Sequence, residues 1–141
     1  MTNIFVFGSN LAGRHGAGSA KEALLKHGAV TGQGRGLQGQ SYALPTKDER
    51  LRTLPLDVIH VHVECFKMFA GMHPHLTFNV VKIGCGLAGY MEEQIAPMFK
   101  GSPVNVNLPK GWRRIELQVI TPTPYVDPDW DGKERRRKKR K

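Results

Sequence analysis

Ile4-Phe5-Val6-Phe7 runs into Gly8-Ser9-Asn10-Leu11-Ala12-Gly13-Arg14-His15-Gly16-Ala17-Gly18, and Asn79-Val80-Val81-Lys82-Ile83 runs into Gly84-Cys85-Gly86-Leu87-Ala88-Gly89-Tyr90. Both breaks contain G-x-x-L-A-G, each follows an apolar strand-like run, and each precedes a stretch with helical character. A strand that ends in glycines lets bare backbone N–H groups approach a ligand, and the helix behind it offers an N-terminus that favours an anion. Two such turns point to one phosphate-bearing ligand held between them.

Working outward, the pattern predicts strands over 3–7, 41–44, 77–83 and 104–108, helices over 18–27, 56–72 and 92–99, and a glycine-rich loop over 28–40. Strands alternating with helices give an α/β fold whose sheet is mostly parallel, because each crossover is long enough to carry a helix. In such sheets ligands bind outside the carboxyl ends of the strands, where both turns fall. The stretch 59–65 is the ambiguous one. Ile59, Val61, Val63 and Cys65 alternate with His60, His62 and Glu64 as in a strand, yet the run continues to Met72 and starts like a helix, with Thr53 as N-cap or Pro55 in the first turn. On a helix, residues two apart point about 200° apart, so His60 and His62 do not share a metal, and none is expected.

The chain has 141 residues, 40% of them hydrophobic, which suits one domain with a real core. No apolar run approaches the roughly 20 residues of a membrane span, and the first residues carry no basic region ahead of the apolar stretch. Cys65 and Cys85 are too few for a disulfide scaffold and lack zinc spacing, so a reducing cytoplasm is expected. The formal charge of +9 is uneven: eight basic residues and one acid between Lys133 and Lys141 give +7, leaving +2 for residues 1–132. Residues 1–120 therefore read as the folded, nucleotide-binding domain, with a further edge strand over 114–120. Residues 121–141 read as an extended Pro/Asp arm and a basic, disordered tail. The tail offers sequence-blind nucleic-acid contact through Arg135, Arg136, Arg137, Lys138, Lys139, Arg140 and Lys141.

Several residues carry candidate chemistry. Asn10 either meets a ribose hydroxyl or serves its own turn; Arg14 is a candidate to meet a phosphate, but it and His15 read rather as solvated and structural. Gly34, Gly36 and Gly39 form a nominal G-x-G-x-x-G, but a helix precedes it and a strand follows, the reverse of a dinucleotide fingerprint; a flexible loop over the ligand is expected instead. Pro45 keeps Leu44 extended, so Thr46 and Lys47 emerge at the strand's carboxyl end, where the lysine is either a phosphate partner, a nucleophile or a surface charge. Cys85, with no histidine and acid arranged around it, reads as packing.

GAGSAKEALLKHGAV, SYALPTKD, VVKIGCGLAGY and VNVNLP, taken in order, resemble the macrodomain family, and within it the branch that hydrolyses terminal ADP-ribose and acylated ADP-ribose. The likeness spans about 4–108. It implies a macrodomain-like three-layer α/β/α sandwich binding ADP-ribose at the strand ends through Gly8, Ser9, Asn10, Leu11, Gly16, Ala17, Gly18, Thr46, Gly84, Cys85, Gly86, Leu87, Ala88, Gly89 and Tyr90. The distal ribose would lie near Asn10 and 16–18 and the diphosphate against 84–90, with Tyr90 either bordering the phosphates or distal ribose or serving as packing. Lys47 falls on the lysine that attacks the distal ribose in that branch, and Asn10, or else His15, is the candidate for the route other macrodomains take through a bound water. No cofactor is implied. Ala88, however, stands where the branch has its catalytic aspartate. General acid-base help worth roughly 10² to 10⁴-fold is then missing, and Asp48, on the opposite strand face from Lys47, is a poor substitute. ADP-ribose binding is therefore the expectation, hydrolysis is left open, and the alternatives are a non-catalytic sensor or a nucleic-acid-associated protein acting through its tail.

Overall fold

A computed structural model of the chain describes residues 2–112. In chain order the elements are β1 (Thr2–Asn10), α1 (Gly18–Lys26), β2 (Gly36–Gln38), β3 (Ser41–Lys47), α2 (Leu56–Met72), β4 (Leu76–Val80), α3 (Glu92–Ile95) with a 3-10 turn (Ala96–Phe99), and β5 (Val106–Asn107). The five strands lie in the order β2-β3-β1-β4-β5. β1 is parallel to β3 and to β4, and β4 is parallel to β5; only β2 runs antiparallel, against β3. This is the mostly parallel α/β sheet that the alternation of elements implies.

β1 shows how the sequence divides the core. Ile4 and Val6 face one side and join Tyr42, Leu44, Phe78 and Val80. Phe5 and Phe7 face the other side with Ala43, where α1 contributes Ala20 and Ala23. The first side is the larger. α2 lays Ile59, Val63, Phe66 and Ala70 on it, a spacing of three and four that forms one helical face. Phe66, fully buried, meets Tyr42 and Phe78 edge-on, with ring centroids 5.1 and 5.5 Å away. Truncating Phe66 to alanine would cost about 3 to 5 kcal/mol.

The ambiguous stretch 59–65 is thus helix, and the period-two alternation there is incidental. His60 pairs with Glu64 one turn on, at 3.1 Å, as helical spacing requires. Among the described residues no cluster fit to hold a metal occurs, and no helix is long and apolar enough to cross a membrane. The helix start differs from both options read from the sequence. Pro55 is the N-cap residue and makes no side-chain cap, while the Thr53 hydroxyl donates instead to the Ala88 carbonyl at 3.1 Å.

Other boundaries shift for identifiable reasons. β1 continues through Gly8, Ser9 and Asn10 because β3, which itself extends to Lys47, supplies ladder partners that far; Ser9 lies opposite Pro45, where the register slips. β4 ends at Val80. The 92–99 helix changes to 3-10 geometry around Pro97, whose missing N–H cannot continue an α-helical ladder. The 28–40 segment is not a flexible cover. It contains β2, turns at Gly39-Gln40 into β3, and packs so closely on the first glycine turn that a Cβ at Gly34 would fall 2.2 Å from the Asn10 carbonyl oxygen. The expected strand over 114–120, the arm and the basic tail lie outside the described residues.

Candidate functional site

β1, β3 and β4 end side by side, and at their carboxyl ends lies a cavity of about 780 Å3. Of the residues singled out in the sequence, Gly8, Ser9, Asn10, Gly16, Ala17, Gly18, Thr46, Lys47, Gly84, Cys85, Gly86, Leu87 and Ala88 line it. Leu11, Gly89 and Tyr90 do not. Tyr90 packs against the larger core and donates its hydroxyl to the Leu54 carbonyl at 2.7 Å. Arg14, read as solvated, is at the wall, and so are Ser19, Leu51, Lys82 and Glu92, which were not singled out for the site. The helical period places Ser19 at the start of α1 and could have flagged it. Leu51, Lys82 and Glu92 carry no motif.

The first turn is held by its own side chains. The Asn10 amide donates to the Arg14 carbonyl at 2.8 Å, and its oxygen accepts the Arg14 N–H at 2.9 Å. The Ser9 hydroxyl donates to the Gly34 carbonyl, and Thr46 donates to the Ser9 carbonyl at 3.3 Å. His15 is buried edge-on against Phe7 with Nε2 3.0 Å from the Val30 carbonyl, which places it behind the turn rather than at the cavity. Both readings of Asn10 therefore meet in one residue: it lines the cavity, yet its amide closes the turn. What this turn presents to the cavity is the start of α1. Lys21 makes the first intrahelical bond, to Ala17, so the N–H groups of Gly18, Ser19 and Ala20 have no intrahelical acceptor. The Ala17 N-cap supplies none, and the first helical turn has no acid.

The second turn is arranged differently. Among the described residues the N–H groups of Gly84, Gly86, Leu87 and Ala88 find no backbone acceptor. Gly84 has φ +78, a left-handed conformation that aims the chain out of the sheet at little cost only for glycine. The turn is tied from outside: Thr53 holds Ala88 and Tyr90 holds Leu54, so the β3–α2 connection and the turn form one rim. Leu87, 69% exposed, reaches toward α1, its Cδ1 3.6 Å from where a Cβ on Gly18 would be. The two glycine turns thus face each other across the cavity.

Charge at the site is mixed but mainly positive. Arg14, Lys47 and Lys82 line the cavity against a single acid, Glu92. Glu92 is engaged on both oxygens, accepting from Trp112 Nε1 at 2.8 Å and pairing with Lys82 at 3.1 Å; the Trp112 hydrogen bond first, and Lys82 second, hold its carboxyl below the usual range. Lys47 has no ion-pair partner among the described residues. Asp48 turns away, taking the N–H groups of Arg50 and Arg52 at 2.8 and 2.9 Å and the Arg52 guanidinium at 2.9 Å. Those contacts, the Arg52 N–H foremost, lower its pKa, and a carboxylate so held is a poor proton donor or acceptor. Burial pushes the Cys85 thiol up, which keeps it protonated and unreactive near neutral pH. Comparison of the chain with protein-family models, with curated proteins and with solved structures finds no match to any of them.

Proposed function

We propose that the cavity binds ADP-ribose or an ADP-ribose derivative, in a macrodomain-like three-layer sandwich, with the diphosphate between the start of α1 and the 84–88 turn and the distal ribose toward Asn10 and Lys47. The observation that carries this reading is the pair of backbone N–H sets without backbone acceptors on facing walls, Gly18, Ser19 and Ala20 on one and Gly84, Gly86, Leu87 and Ala88 on the other, with three cations and one acid around them. Such donors are costly to leave dry and are satisfied by a dianionic bridge. Titration calorimetry tests it. Heat of binding is expected with ADP-ribose; none at about 1 mM ligand, where a Kd of that size corresponds to about −4 kcal/mol, would sink the proposal.

Binding without turnover is the form of this function that the site favours. Ala88 offers no acid or base, and the Asp48 carboxylate is consumed by its own turn. If the protein nonetheless hydrolyses an ADP-ribosyl linkage, Lys47 is the nucleophile that the cavity offers, and Lys47→Ala abolishes turnover. Turnover that survives the substitution would instead assign the chemistry to a water held near Asn10.

A further inference from the structure

The outer face of α2 carries a feature that the cavity does not explain. Val58, Val61, Cys65, Met68 and Met72 are all exposed, and their spacing alternates three and four over the full helix, the period of a helix-pairing seam. The inward face, Ile59, Val63, Phe66 and Ala70, is a separate stripe already buried on the sheet. Val61, Met68 and Met72 are 60, 68 and 73% exposed. Together these side chains present an apolar patch of about 300 to 600 Å2, the size of the largest patch on a typical monomer. That is close to the apolar share of the roughly 800 Å2 each partner buries in a standard interface.

We propose that this face pairs with a second copy of the chain, α2 against α2 in antiparallel fashion, about a two-fold axis passing near Cys65. The stripe is nearly symmetric about that residue: Val61 falls against the partner's Met68 and Val58 against the partner's Met72, so the patch is complementary to itself as a two-fold contact requires. The direction follows from the helix dipoles, which oppose in this arrangement, whereas a parallel pair would set Asp57, in the first turn of α2, against Asp57. Glu64, the acid nearest the axis, is already paired with Lys67 at 2.8 Å and His60 at 3.1 Å. No α2 residue lines the cavity, so both ligand sites stay open in the dimer.

Sedimentation equilibrium of the full chain, from micromolar to near-millimolar concentration, tests the pairing. A species of twice the chain mass is expected, with Met68→Glu raising its dissociation constant at least about tenfold, a loss of about 1.4 kcal/mol, while circular dichroism stays unchanged. Mild oxidation of the wild-type protein, which does not depend on any variant folding, is expected to cross-link two chains through Cys65 and to fail in Cys65→Ser. A monomer at every concentration, a dimer indifferent to Met68→Glu, cross-linking through Cys85 alone, or retention on neutral phosphatidylcholine vesicles in place of self-association would overturn the proposal.

Discussion

The two G-x-x-L-A-G turns are alike in sequence and part of their geometry, and opposite in what they do with their backbone. Each closes on its last glycine, Gly13 N–H to the Asn10 carbonyl and Gly89 N–H to the Gly86 carbonyl, both at 3.0 Å, and each of those glycines has positive φ. Beyond that they diverge. The first turn is an extension of β1, wedged between β3 and the 28–40 segment, its polar side chains spent on holding it there. The second leaves the sheet, is tied to the rest of the fold at its rim by Thr53 and Tyr90, and leaves the N–H groups of Gly84, Gly86, Leu87 and Ala88 at the cavity wall without a backbone acceptor. The same short pattern yields a buried brace in one place and a donor cradle in the other, because β1 stays paired with β3 as far as Asn10 and is backed by the 28–40 segment, whereas the chain after Val80 has left the ladder.

The largest expected effect attacks the brace. A Cβ at Gly13 would fall 2.3 Å from the Gly32 carbonyl carbon, and φ there is +73, so Gly13→Ala is expected to destabilise the fold by about 3 to 5 kcal/mol, strain and overpacking together. Gly89→Ala, at φ +87 with open space around it, should cost about 1 to 2 kcal/mol. Equal denaturation midpoints for the two variants would erase the distinction. Next comes Asn10→Ala, which removes both side-chain bonds to Arg14 and is expected to lower stability by about 1 to 3 kcal/mol in urea unfolding. A change in ligand affinity with no change in stability would turn Asn10 back into a ligand residue only.

The cradle is probed by a substitution that spares the fold. Nothing lies within 4 Å of a Cβ at Gly86 and its φ is not positive, so Gly86→Ala should shift stability by no more than about 0.5 kcal/mol. ADP-ribose affinity is expected to fall about tenfold, as the methyl intrudes where an oxygen would accept the Gly86 N–H; unchanged affinity in calorimetry would remove this turn from the ligand. The smallest effect is at the rim. Because the Glu92 carboxyl is held below its usual value of 4.5, its contacts with Trp112 and Lys82 persist above that pH and are lost only as pH falls through the lowered folded value. In a Trp130→Phe background, Trp112 emission should stay constant down to pH 4.5 and change only below it, and Glu92→Gln should remove the transition.

How much of this was legible varied with the origin of each constraint. α2 could be bounded at Leu56 and Met72 from length and Pro55 alone, since an amphipathic run this long fixes its own helix. The cavity's two walls were legible because glycine is required where backbone approaches backbone or ligand. Arg14, Lys82 and Glu92 were not, since a charged residue carries no mark of the neighbour it will face. Which of Tyr90's two readings holds was hidden for a similar reason: the partner that turns it into packing, the Leu54 carbonyl, comes from a segment far away in the chain. The 28–40 segment looked like a lid because glycines signal freedom when seen singly; paired as Gly13 with Gly32, and Gly28 with Gly39, they signal contact.

By itself, then, the sequence determined the alternation of strands and helices, the mostly parallel sheet, and the edge at which both glycine turns emerge, because hydrophobic period and backbone sterics act locally. Which turn became brace and which became cradle was decided only by the tertiary structure. A backbone N–H is free or satisfied according to the strands packed beside it, and that neighbourhood is assembled from β3, the 28–40 segment and the β3–α2 connection rather than from the six residues of the pattern.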